Sequence, residues 1–327
     1  MRHARFASLF VVAVVLVGAC SPAAQAGFVY ETQVPISSDA GAGAGNVGGT
    51  ASQGAAASAS VIPVIISSQL AVGDNRLVYS FLDPKTQLPV GSPDLQSSVS
   101  FIAPGTTNPT TAVPGEFIWA IQGSRGEYIT HATFPAAGDW KAIFTVQPKD
   151  GQAQAIGIPF PVLLKPTVVS VGDHAPNTRT PTLSDVGGDI RQISSDTNPD
   201  PAFYQVSVDQ ALARKTPFIL VFATPAFCRS AQCGPTLDFV KKARQTAPSS
   251  VAFINVEPYT LKYTDGRVQP VLDAQGNLQP TDVSNAWGLP TEPWIFAVDR
   301  NGIVQGSFEG IVSQQELQDV IAKIAAS

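Results

Sequence analysis

Cys228 and Cys233 stand five residues apart in the last third of a 327-residue chain whose third cysteine is Cys20. A thiolate attacks disulfides and binds soft metals, so a spaced thiol pair admits disulfide exchange or metal binding. One Met and three His leave few other soft ligands, and all three histidines, His3, His131 and His174, lie upstream of the pair. In an unbroken helix two residues so spaced rise about 7.5 Å and point to different faces, whereas a disulfide needs Cα atoms within about 7 Å. If the two bond, Arg229 to Gln232 must therefore leave helical geometry. That puts Cys228 on a loop leaving a strand and Cys233 in the first turn of a helix, facing back. Both thiols then sit near a helix N-terminus, whose partial positive charge favours thiolate, and Arg229 adds a full charge beside Cys228.

The flanking pattern supplies those elements. Val206 to Arg214 suits a helix, and Pro217 to Ala223 is the continuous apolar run of a strand buried on both faces. After the cysteines, Thr236 to Ala243 reads as a helix with Pro235 near its first turn, where a missing N–H costs nothing. Val251 to Val256 is a second buried strand, Trp294 to Val298 and Ile303 to Phe308 form a hairpin around Asp299-Arg300-Asn301-Gly302, and Gln314 to Ala325 is an amphipathic helix. The turn signals Asp265-Gly266 and Gln275-Gly276 predict a hairpin insertion between Glu257 and Ser284. Tyr259, Tyr263 and Trp287 either line a groove there or pack.

That order of strand, cysteine loop, helix, strand, hairpin and helix from about Tyr204 to Ile324 resembles the thioredoxin-like superfamily. The likeness rests on the apolar strand leading to Phe227-Cys228, on Cys233-Gly234-Pro235, and on Leu289-Pro290-Thr291-Glu292-Pro293-Trp294. It implies an α/β domain in which Cys228 and Cys233 are catalytic, with Cys228 the attacking residue by its strand-end position; the reverse order stays open. It also implies a cis peptide before Pro293, facing the cysteines, so that the Glu292 backbone can pair with a substrate chain. Two features depart from the family: the spacing is C-x4-C rather than C-x2-C, and the strand before Cys228 carries no acidic residue. Thr224 lies four residues before Cys228, one more than in the superfamily's peroxidases. The copper-delivery members need a histidine later in the domain, which this chain lacks. No cofactor and no metal are expected.

Upstream, short runs of period two separated by turn residues predict an all-β sandwich of immunoglobulin-like type over 61–166. They are Leu77 to Phe81, Val99 to Ile102, Phe117 to Ile121, Tyr128 to Ala132 and Trp140 to Val146. A polar connector spans 167–200, and the redox domain spans 201–327. Residues 21–60, nearly all Gly, Ala and Ser after Gly41, read as a flexible tether. Arg2, His3 and Arg5, the apolar run from Leu9 to Val17, and Gly18-Ala19-Cys20 make a signal peptide over 1–20. Its end resembles the bacterial lipobox, which implies lipidation of Cys20 and leaves only Cys228 and Cys233 as free thiols.

A net charge of −5 with only 14% charged residues offers no basic surface, which argues against nucleic acid as a partner. The sequence thus reads as an exported, membrane-anchored thiol-disulfide oxidoreductase acting on exported proteins that bear thiols or disulfides. The alternatives are a surface or assembly lipoprotein whose bridge only staples a loop, and a copper-delivery-type redoxin.

Overall fold

The structure is a computed structural model that describes residues 59–327 and the backbone of Glu31–Gln33. Cys20 and the signal segment lie outside the described residues. Among the described residues no helix is long and apolar enough to cross a membrane.

The N-terminal unit has two antiparallel sheets. One contains β2 (Ile62–Ile65), β3 (Gly73–Leu82), β7 (Arg125–Phe134) and β6 (Glu116–Ile121), in that order. The other runs β1 (Glu31–Gln33), β9 (Gln154–Val162), β8 (Gly138–Pro148), β4 (Leu95–Ile102) and β5 (Val113–Pro114). Strand alternation drives their packing. Leu77, Tyr79 and Phe81 of β3 turn inward against Val99, Phe101, Phe144 and Ile156 of the facing sheet, while Val78 turns outward. β1 falls in the stretch assigned to the tether, and there it pairs antiparallel with β9. An edge strand carries unpaired N–H and C=O groups, so a short passing segment can add to it even where its own sequence shows no alternating pattern.

The C-terminal unit is a sheet covered on both faces. Its strand order is β11 (Ala252–Val256), β10 (Phe218–Phe222), β14 (Trp294–Val298) and β15 (Val304–Glu309). β10 runs parallel to β11 and antiparallel to β14. All five residues of β10 are buried, as its unbroken apolar run requires. One face packs against α2 (Cys233–Arg244) and α4 (Gln314–Ala326) through Leu237, Val240, Leu317 and Ile321. The other packs against α1 (Val208–Ala213) and α3 (Asp282–Ala286), around Trp287. Ser313 caps α4 by accepting from the Glu316 amide while the Glu316 carboxylate accepts from the Ser313 amide.

The connector is not a loose link. Val168 and Ala175 join the α1/α3 core, and the Val169 amide donates to the Trp287 carbonyl. The insertion forms a hairpin, β12 (Leu261–Thr264) and β13 (Arg267–Pro270), turning at Asp265-Gly266. The two units are docked. Arg76 of β3 donates to the Glu316 carboxylate at 2.6 Å and to the Ile311 carbonyl at 2.8 Å, and Ile311 packs on Val78, Ala120 and Ile129.

Candidate functional site

The Cys228–Cys233 pair is joined as a disulfide with Cα atoms 5.9 Å apart. β10 ends at Phe222, the chain turns through Thr224 to Phe227, and Cys228 follows on the loop; Cys233 is the first residue of α2. The intervening residues depart from helix, with Ala231 at φ +61 in the left-handed region. Pro235 sits in the first turn of α2, where its missing N–H removes no helical hydrogen bond.

The two sulfurs differ in access. Cys228 is half-buried, while Cys233 is 0% exposed. The Cys233 amide points its N–H at the Cys228 sulfur across 3.2 Å, and the Ser230 hydroxyl lies 3.4 Å from it. A helix-terminal N–H aimed at a sulfur favours the anion there, so the accessible Cys228 has the better-supported thiolate.

Glu292 and Pro293 lie across from the bridge, and the peptide between them is cis. The Glu292 carbonyl accepts from the Ser230 hydroxyl at 3.2 Å. The family resemblance implies a part only for the backbone of Glu292, yet its carboxylate is also turned inward. It accepts from the Arg229 amide at 2.9 Å and from the Tyr259 hydroxyl. Burial and the adjacent carboxylate hold the Tyr259 phenol well above its ordinary range, so it remains a proton donor to Glu292. The Cys228 and Cys233 sulfurs and a Glu292 oxygen all lie within 4.8 Å of one another, the one grouping among the described residues with the makings of a metal ligand set.

A second buried acid stands at the end of the neighbouring strand. Glu257 follows β11, is 7% exposed, and accepts from the Ser195 amide at 2.6 Å. Burial pushes its carboxyl up to about 7, against the opposing pull of hydrogen bonds. The folded state therefore keeps a proton that the unfolded chain releases nearer its ordinary value of 4.5. Stability supplied by this group is complete below that pH and is lost as pH rises to about 7. Glu257→Gln is expected to remove this loss. Relative to wild type, the variant should gain about 2.5 kcal/mol between pH 5 and pH 8 in urea unfolding. A constant difference across that range would show that Glu257 is ionised throughout.

Of Tyr259, Tyr263 and Trp287, only Tyr259 reaches the site. Tyr263 bonds Asp189 of the connector at 3.4 Å, and Trp287 is fully buried against Phe222 and Phe296. His131 is exposed on β7 and His174 bridges to Ile303. Nothing local in the sequence marks Glu257 or the Glu292 side chain. The one available signal is a Glu at a strand end or beside a proline, inside an otherwise apolar stretch.

No family model matches the chain, and no curated protein matches it. Among solved structures it is similar to a copper-bound Glu-to-Gln variant of FetP from uropathogenic Escherichia coli strain F11. That match has 11% identity over 28% of this chain and 73% of that chain, with a TM-score of 0.21, a likeness too slight to carry an argument.

Proposed function

We propose that this chain exchanges disulfides with exported proteins through Cys228 and Cys233, on a thioredoxin-like domain. The observation that carries the reading is the asymmetric pair: one sulfur half-buried and one enclosed, joined at the mouth of α2 beside the Glu292 carboxylate. The sheet order, with the cysteine loop leaving a central strand, supports the same reading. So does the helix N–H directed at Cys228.

In the reducing direction the Cys228 thiolate attacks a substrate disulfide. A bond forms between Cys228 and one substrate sulfur, and the other substrate sulfur leaves as a thiolate. Cys233 then gives up its proton and attacks the Cys228 sulfur, which closes the protein bridge and releases the second substrate sulfur. Oxidation of a substrate dithiol runs these steps backwards. Glu292 is within reach to take the Cys233 proton, and Tyr259 steadies the carboxylate. We further propose that lipid on Cys20 and the segment after it hold the two units at a membrane surface, and that the N-terminal unit is an immunoglobulin-like sandwich.

Glutathione titration with alkylation of free thiols, alongside insulin reduction, tests the reading. A midpoint within the range of known exchange proteins together with turnover is expected, and a bridge resistant well below about −300 mV would make it a structural staple. Glu292→Gln is expected to slow bridge closure about a hundredfold at neutral pH, so that the mixed disulfide accumulates on gels. Closure at the wild-type rate would leave the carboxylate only a loop-positioning part.

A further inference from the structure

The loop between the cysteines is gripped from the other unit. Arg125 and Glu127 both belong to β7 of the N-terminal sandwich. Arg125 Nη1 donates to the Ser230 carbonyl at 3.0 Å, and the Gln232 side-chain amide donates to Glu127 Oε1. These contacts fall on either side of Ala231, the residue held at φ +61. Arg125 and Glu127 also pair with each other at 3.0 Å.

The grip is enclosed. The Glu127 side chain is 0% exposed and Gln232 is 2% exposed. Gly310 closes the far side of Gln232, since a Cβ at that position would stand 3.2 Å from Gln232 Oε1. Burial raises the Glu127 carboxyl above its ordinary range, and its Oε2 has no hydrogen-bond partner among the described residues. A carboxyl placed at such a cost in a docked interface does little for docking itself, which Ile311 and the Arg76–Glu316 pair already provide.

We propose that Arg125 and Glu127 are positioning residues of the redox site, through which the sandwich holds the C-x4-C loop in its ring-closed shape and shifts the pair toward disulfide. An L-residue rarely adopts the Ala231 conformation unaided, so a freed loop drifts away and separates the thiols. A loop pinned at Ser230 and Gln232 keeps each thiol at high effective concentration for the other. The consequence for catalysis rests on the exchange reading above; the shift in equilibrium does not.

The test is equilibrium with glutathione, using the full chain. Two glutathione thiols give their protons to Cys228 and Cys233 as the protein S–S bond breaks and the glutathione disulfide forms. Glu127→Ala and Arg125→Ala should each move the midpoint about tenfold toward the dithiol, the scale of one hydrogen bond involving a charged group. Gln69→Ala, which breaks the contacts between the sandwich and Thr167 of the connector, should leave it in place. Arg125 is 30% exposed, so its truncation is tolerable even where Glu127→Ala fails to fold. An unchanged midpoint in Arg125→Ala, a shift toward disulfide, or an equal shift in Gln69→Ala would each overturn the proposal. Wild type that equilibrates with glutathione but does not reduce insulin would sink the exchange reading and leave the clamp standing.

Discussion

Cys228→Ser is expected to reduce insulin turnover to the uncatalysed background while leaving the fold intact. The half-buried sulfur that a substrate disulfide can approach is gone, and Cys233, 0% exposed at the start of α2, cannot replace it. Serine keeps the side-chain size, so α2 and β10 retain their packing through Leu237 and Val240. The reciprocal Cys233→Ser has a different signature. Cys228 still attacks, but nothing resolves the adduct, and a covalent complex with substrate should persist on non-reducing gels. Full turnover in Cys228→Ser would place the reaction elsewhere. A trapped adduct in Cys228→Ser rather than Cys233→Ser would reverse the order of the two thiols.

Trp287→Ala should cost about 3–5 kcal/mol of folding free energy, the usual scale for emptying a large aromatic site. The Trp287 ring lies tilted 4.6 Å from Phe296 and 5.9 Å from Phe222, centroid to centroid, and its indole N–H donates to the Thr178 hydroxyl at 3.3 Å. Alanine leaves a cavity beside the Phe222 and Phe296 rings of the sheet. Against a domain stability of about 5–15 kcal/mol, that loss is a large share. Trp287→Phe keeps most of the contact area and should lose less than half as much. Far-UV circular dichroism in urea reads the difference. A cost under about 1 kcal/mol for Trp287→Ala would mean that the ring is peripheral to the core.

Particular elements show what was legible beforehand. The Phe218–Phe222 strand announces itself because a strand covered on both faces is apolar at every position. Leu77 to Phe81 and Trp140 to Val146 are readable because a half-buried strand alternates. β2 and β9 do not read as strands: Pro63, Pro159 and Pro161 interrupt the pattern, and proline in a run argues against a strand unless the strand tolerates a missing donor. Helix α3, five residues long, is below the length at which periodicity speaks. Trp287 reads as either groove or core, since an aromatic ring looks the same in sequence whether it lines a cleft or fills one.

The sequence by itself determined the cysteine pair, the requirement that its intervening residues leave helical geometry, and the strands and helices on either side, because these follow from local spacing and hydrophobic period. Tertiary structure alone decided that Glu292 turns its carboxylate to the sulfurs, that Glu257 is buried in its proton-retaining setting, and that Arg125 and Glu127 reach the loop from more than 100 residues upstream. Such partners are set by how separate sheets dock, and contact across a long loop leaves no periodic trace in the residues that make it.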